Sequence, residues 1–90
     1  MRYIKVTWTH NFVDEPVLYL SELGEDDYET RRVQFFRDGH SEWADQDHET
    51  STTGLSEIPF LEPEEISKQS EFSAKLINAD EFEQAWNAAQ

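Results

Sequence analysis

The alternation of apolar and polar residues predicts an antiparallel sheet in the first half of the chain. Ile4, Val6 and Trp8 alternate with polar positions, so residues 2–9 are expected to form a strand with one apolar face. Further short apolar runs, bounded by turn residues, predict three more strands over residues 17–23, 28–36 and 40–45. We expect these segments to form a meander of three to four antiparallel strands.

The dipeptide Asp38-Gly39 predicts where the third and fourth strands turn back on each other. A two-residue type I′ turn needs positive φ at both central positions, and Asp-Gly is one of the pairs that supplies it. Such a turn would place Gln34 opposite Trp43, and it therefore sets the predicted register of the two strands.

Helix signals are confined to the last third of the chain. Pro63 is suited to a first helical position, and Glu64 and Glu65 would lie near the positive end of the helix dipole. A short helix that ends at about Ser70 is expected. The preceding residues 55–61 contain a proline and are expected to be irregular and to pack on the core.

A second helix is predicted from Asn78 onward. Asn78 is expected to cap it, and Glu81 three residues later would complete a capping box. Phe82 and Trp86 recur at helical spacing and give the helix an apolar stripe. Residues 73–77, between the two helices, are expected to be a short extended piece. The predicted fold is a single α+β domain over residues 1–90, with both short helices packed on one face of the sheet.

The charge of the chain restricts the classes of partner. Twenty acidic residues against seven Lys and Arg give a formal net charge of −13. A field of this sign repels nucleic acid and anionic lipid and attracts basic proteins, so we expect no direct nucleic-acid or membrane partner. No apolar run is long enough for a signal peptide or a membrane span, and a cytoplasmic protein is expected.

No motif for catalysis or cofactor binding stands out. The segment Asp45–Glu49 is rich in oxygen ligands, but an EF-hand would need Gly and Glu where Thr50 and Ser56 stand. The three histidines lack a helical i, i+4 partner, no serine lies in a nucleophile elbow, and the chain contains no cysteine. We therefore expect no enzyme activity, no metal and no cofactor.

The acidic residues concentrate in the predicted connections between elements. Two clusters, in residues 22–29 and 62–65, are candidates for contact with a basic partner, because carboxylates in exposed loops are free to meet Lys and Arg. The candidate partner-binding residues are Glu22, Glu25, Asp26, Asp27, Glu29, Glu62, Glu64 and Glu65.

The opening MRYIKVTWTH and the ending EFEQAW resemble those of a family of small uncharacterised bacterial proteins. Members of that family open with M-x-Y-I-K-V-x-W-x-H and end with E-F-E-x-x-W, and the resemblance covers nearly the whole chain. They are similar in size and charge to the small acidic partner proteins of bacterial toxin–antitoxin and immunity systems. The resemblance implies no catalytic residue.

From charge and resemblance together we expect an immunity or inhibitor protein that binds a cationic bacterial toxin and occludes its active site. A nuclease is the expected class of toxin, because a nuclease holds phosphates with Lys and Arg, which carboxylates at similar spacing would engage. Two alternatives remain open. One is a small-ligand-binding domain or enzyme with acids around a concave pocket; the other is a general protein-interaction module.

Overall fold

Five strands and two helices make up the fold in the computed structural model, which describes all 90 residues. In chain order the elements are β1 (Arg2–Trp8), β2 (Pro16–Leu23), β3 (Glu29–Phe36), β4 (Ser41–Ala44), α1 (Pro63–Ile66), β5 (Phe72–Ile77) and α2 (Ala79–Ala89). This content confirms the predicted α+β class. Neither helix combines the length and the apolar composition needed to cross a membrane.

The sheet is antiparallel throughout, with strand order β4-β3-β2-β1-β5. Five strands correct the predicted count of three to four. The additional strand, β5, lies beside β1, and Ala74 is paired with Val6. The β5 sequence FSAKLI carries Ser, Ala and Lys among its apolar residues, so its own pattern is a weak strand signal, and pairing with β1 fixes its conformation.

Both faces of the sheet carry apolar side chains. On one face, Ile4 and Val6 of β1 form a buried cluster with Leu23 of β2. Leu20 lies opposite Lys5 in the register and therefore points to the other face, where it packs against Phe82 of α2. Each face needs a cover because both bury apolar surface.

The two helices lie on opposite faces of the sheet, which corrects the expectation that both pack on one face. Ile66 of α1 and Phe60 of the irregular segment 55–61 cover the cluster around Ile4. Ala85 and Trp86 of α2 cover the cluster around Leu20. The segment 55–61 lacks regular structure, as predicted, and contacts the cluster around Ile4 through Phe60.

The predicted cap of α2 is confirmed. The Asn78 side chain accepts a hydrogen bond from the Glu81 backbone N–H at 2.8 Å. The Glu81 carboxylate does not complete a capping box and instead accepts from Lys5 Nζ at 3.1 Å. Further along, Trp86 meets Trp43 of β4 edge-on, with the ring centroids 5.1 Å apart. These contacts connect α2 to β1 and to β4.

The turn between β3 and β4 contains three residues rather than the predicted two. Phe36 N–H donates to His40 O at 2.9 Å, Gly39 N–H donates to Phe36 O at 3.0 Å, and Gly39 has φ +94° while Asp38 does not have positive φ. This is a type I turn closed by a glycine bulge. The extra residue shifts the register by one, so Trp43 lies opposite Val33 and not Gln34.

The outer edge of β5 is covered by the residue that follows α1. This helix ends at Ile66, earlier than the predicted end near Ser70. The hydroxyl of Ser67 accepts from the Ala74 backbone N–H at 2.9 Å and lies 3.4 Å from the Ala74 carbonyl oxygen, to which it donates. The backbone groups that Ala74 turns away from β1 are therefore already paired.

Candidate protein-binding surface

Arg2 joins the two acidic clusters that the sequence singled out. Its guanidinium donates to Asp27 Oδ1 at 2.7 Å and to both carboxylate oxygens of Glu62, at 3.1 and 3.0 Å. These hydrogen bonds, with Glu62 contributing most, raise the pKa of Arg2. The backbone confirms the contact, because Phe60 N–H donates to Asp27 O at 2.9 Å. The turn after β2 and the segment before α1 therefore lie side by side.

The turn formed by residues 24–28 is held in one conformation by its own hydrogen bonds. Gly24 N–H donates to Tyr28 O, and Asp27 N–H donates to Gly24 O, both at 3.0 Å. Asp26 Oδ1 accepts from Tyr28 N–H at 3.1 Å, and Asp27 has φ 66°, which Asp tolerates better than most residues. The side chains of Glu25 and Asp26 are exposed on this fixed loop.

Glu22, one of the candidate residues, does not contribute to this surface. It is paired with Arg31 across the β2–β3 ladder, and its side chain is 9% exposed. Arg31 and Thr30 donate hydrogen bonds to its carboxylate. The bonds from Arg31 lower the pKa of Glu22 against the opposing effect of burial. Its charge is paired inside the molecule, so Glu22 is left out of the surface described below.

Glu29 is likewise an internal residue. Its side chain is fully buried and accepts hydrogen bonds from Ser21 Oγ at 2.5 Å, from Arg32 Nε at 2.8 Å and from Ser56 N–H at 2.8 Å. The last bond ties the irregular segment that follows the polar loop to the sheet. Glu29 therefore links β2, β3 and the segment 55–61, and it too is left out of the surface described below.

The remaining candidates stay at the surface. Glu64 and Glu65 are exposed on α1, and Glu65 pairs with Lys68 at 3.0 Å. Such an exposed pair is weakly held and can exchange with a partner. We use the term acidic surface for the six carboxylates that remain: Glu25, Asp26, Asp27, Glu62, Glu64 and Glu65.

Apolar side chains lie next to the acidic surface. Tyr28 ends the acidic turn and is 43% exposed, while Ile58 and Leu61, on either side of Phe60, are 70% and 60% exposed. An open cavity of about 230 Å³ lies between this segment and the sheet. In the sequence, these apolar side chains belong to the run LSEIPFL (residues 55–61), which is predicted to pack on the core. Phe60 packs on the core, whereas Ile58 and Leu61 are exposed.

A second polar cluster lies at the β4 edge of the sheet. Glu42 accepts hydrogen bonds from Thr50 and from Thr52, and these bonds lower the pKa of Glu42. His40 lies between Asp38 and Glu42, and the hydrogen bond to Asp38 raises the pKa of His40. The cluster ties the polar loop to the edge strand. No group of three or more His, Asp or Glu side chains is arranged to hold a metal ion.

A protein-family model described as a domain of unknown function, DUF6881, matches residues 2–90. The chain belongs to this family. The chain matches no curated protein and no solved structure. The matched residues include all five strands, both helices and the acidic surface.

Proposed function

We propose that this DUF6881 domain is an immunity or inhibitor protein of bacterial origin that acts in the cytoplasm, where it binds a basic protein toxin of the nuclease class and occludes its active site. The observation that carries the proposal is the bridge from Arg2 to Asp27 and Glu62. It brings carboxylates from two distant segments of the chain onto one surface. Carboxylates grouped on one surface complement a row of basic side chains.

Electrostatics favour a basic partner in two ways. The net charge of −13 gives the whole molecule a field that draws a cationic protein toward it and speeds encounter. The acidic surface then supplies local partners for Lys and Arg, and the exposed carboxylates of Glu25, Asp26 and Glu64 have no competing ion pair within the molecule. A nuclease site offers Lys and Arg arranged for phosphate groups, and carboxylates on a fixed loop would occupy it without any chemical step.

The apolar residues beside the carboxylates supply buried contact area, which charge alone does not provide. Protein interfaces combine an apolar centre with a polar rim, and the buried apolar contacts carry most of the affinity. Tyr28, Ile58 and Leu61 provide such a centre next to Asp27 and Glu62.

The test is capture of a basic protein at low salt from a lysate of the source organism, followed by an activity assay. The captured protein is purified and assayed for nuclease activity with increasing amounts of the DUF6881 domain. We expect stoichiometric inhibition, and we expect the association rate to fall steeply between low and physiological ionic strength, because salt screens the charges. Activity that is unchanged at saturation would overturn the proposal.

A matched pair of variants separates the acidic surface from the overall charge. Each variant removes three exposed carboxylates. The test variant changes Glu25→Gln, Asp26→Asn and Glu64→Gln; the control, at the opposite ends of the strands, changes Asp14→Asn, Glu15→Gln and Glu71→Gln. The test variant should lose inhibition at least tenfold more than the control. Equal losses would show that only the net charge matters, and capture of a basic protein without nuclease activity would favour a general interaction module.

A further inference from the structure

The cavity beside the acidic surface points to a specific contact. We infer that it receives one large apolar side chain, aromatic or aliphatic, which the partner presents between basic residues. This inference rests on the proposed function, because it describes how a basic partner would be anchored on the same surface.

The cavity lies between the sheet and the segment that crosses it. Val6 of β1 and Tyr19 of β2 form its sheet side, and Phe72 of β5 closes one end. Pro59 and Phe60 form the opposite wall. Val6 belongs to the buried cluster around Ile4, and Tyr19, Phe60 and Phe72 pack against that cluster, so these walls of the cavity are held by the core of the fold.

The chemistry of the lining selects an apolar occupant. Nine residues line the cavity, and none of them carries a charge. The Ser56 hydroxyl, one of the few polar groups, already donates to Ile58 O at 3.0 Å. A charged or strongly polar group would lose its hydration here without gaining a partner. An apolar side chain would lose only its contact with water, which favours binding.

The size of the cavity is sufficient for one side chain. Its volume of about 230 Å³ is below the roughly 300–1,000 Å³ typical of small-molecule sites. The cavity is also open on one side, where Ile58 and Leu61 stand exposed at its rim. A side chain that projects from a protein surface can enter such an opening, and the rim residues would then pack around it.

The charges around the opening favour basic residues on either side of the partner's apolar side chain. Glu57 precedes Ile58 and Glu62 follows Leu61, and both carboxylates are exposed. The Asp27 carbonyl is bonded to Phe60 N–H, which brings the acidic turn to the same wall. Carboxylates therefore lie near the opening: Glu57 has no ion pair, and Glu62 and Asp27 share Arg2. The matching partner segment has an apolar residue with Lys or Arg on both sides.

Short synthetic peptides test this geometry without the natural partner. Three probes share one length: a central Phe flanked by two basic residues on each side, the same basic peptide with a central Ala, and a central Phe flanked by serines. Binding to the full chain is measured by isothermal titration and by shifts of backbone amide resonances. We expect the basic Phe peptide to bind about tenfold tighter than the basic Ala peptide, a difference of about 1.4 kcal/mol, with shifts at Phe60 and Phe72.

The outcomes separate the inference from the proposed function. Equal binding of the two basic peptides would overturn the cavity as an anchor site while leaving the acidic surface in place. If the Ser-flanked peptide bound as tightly as the basic Phe peptide, charge would not contribute to binding. This result would overturn the proposed function and the inference that basic residues flank the apolar side chain. Resonance shifts confined to other parts of the molecule would overturn the location.

A pair of surface variants provides the control. Ile58→Ser removes an exposed apolar side chain from the rim, and Val13→Ser removes one of similar exposure, 76%, from the loop between β1 and β2. Ile58→Ser should remove most of the preference for Phe over Ala, and Val13→Ser should keep it. Both positions are exposed, so both variants are expected to fold, which circular dichroism checks. Equal behaviour of the two variants would contradict the assignment.

Discussion

Glu22 and Arg31 form a two-point ion pair across neighbouring strands, with Arg31 Nε 2.9 Å from Glu22 Oε1 and Arg31 Nη2 2.6 Å from Glu22 Oε2. The Arg31 guanidinium also lies over the rings of Phe82 and Trp86, 4.8 and 4.9 Å from their centroids. A third contact, with Glu83, links it to α2. One arginine thus connects the sheet to the helix through charge and aromatic contacts together.

The pair predicts a pH-dependent cost for Glu22→Gln. Folding lowers the pKa of Glu22, chiefly through the hydrogen bonds from Arg31. Its stabilising contribution is therefore complete above the unfolded-state pKa of about 4.3 and is lost as the pH falls through the lower folded-state value. We expect a loss of about 2–3 kcal/mol in the free energy of unfolding at pH 7. The loss should shrink by pH 3, as measured by urea denaturation. An equal loss at both pH values would contradict this account, and the exposed Glu25→Gln serves as the control.

Removal of the Arg2 side chain is expected to loosen the acidic surface more than it destabilises the fold. Arg2→Ala leaves Asp27 and Glu62 without their shared cation, but these ion pairs are partly exposed and contribute little, about 1 kcal/mol together. The informative measurement is amide hydrogen exchange at Phe60, whose N–H donates to Asp27 O. Its protection should fall. Lys68→Ala, which breaks the exposed pair with Glu65, should leave the protection of Phe60 unchanged.

Gly39 is expected to be the glycine at which a side chain costs most. Its φ of +94° is unfavourable for other residues, although a Cβ added there would have no atom within 4 Å. The cost of Gly39→Ala is therefore conformational, about 1–2 kcal/mol. Gly39→Asn should cost less, because Asn adopts positive φ more readily. Thermal denaturation of the two variants checks the order, and an Asn variant less stable than the Ala variant would refute it.

Trp8→Phe is expected to be tolerated unusually well for a tryptophan substitution. The indole Nε1 of Trp8 is buried and has no hydrogen-bond partner, so removal of the N–H relieves an unsatisfied donor and offsets part of the lost apolar contact. The Phe ring would keep a partner in Phe72. We expect a change within about 1 kcal/mol, against about 1–2 kcal/mol for Trp86→Phe, which loses contacts with Trp43 and Arg31. Denaturant unfolding measures the free energy of unfolding of both variants. An equal loss for Trp8→Phe and Trp86→Phe would contradict the expectation.

The local signals in the sequence predicted the elements better than their arrangement. The alternation of Ile4, Val6 and Trp8 located β1, and Asn78 located the start of α2, because strand period and helix capping depend on residues close together in the chain. The position of α1 on the opposite face from α2 was not predicted. Both faces of the central strands are apolar, and such strands do not say which face each helix will cover.

The candidate site was predicted in part, for a related reason. Acidic residues at turns are exposed by default, and Glu25 and Asp26 are exposed as expected. The burial of Glu22 and Glu29 depends on pairing with arginines. Arg31 lies opposite Glu22 in the ladder, and the register shift between Glu22 and Leu23 accompanies the contact of Glu29 with Arg32. The one-residue shift at Gly39 was missed because Asp-Gly also fits a type I turn followed by a glycine.

The hydroxyl of Ser67 has a consequence for how other molecules can approach. With the outward N–H and C=O of Ala74 already bonded to it, a foreign strand has no continuous ladder to extend at β5. At the other border, the short β4 is crowded by threonines 50 and 52, whose hydroxyls are bonded to Glu42. The β5 border is therefore a poor template for an added strand, and a binding protein is expected to recognise side chains there instead of adding backbone.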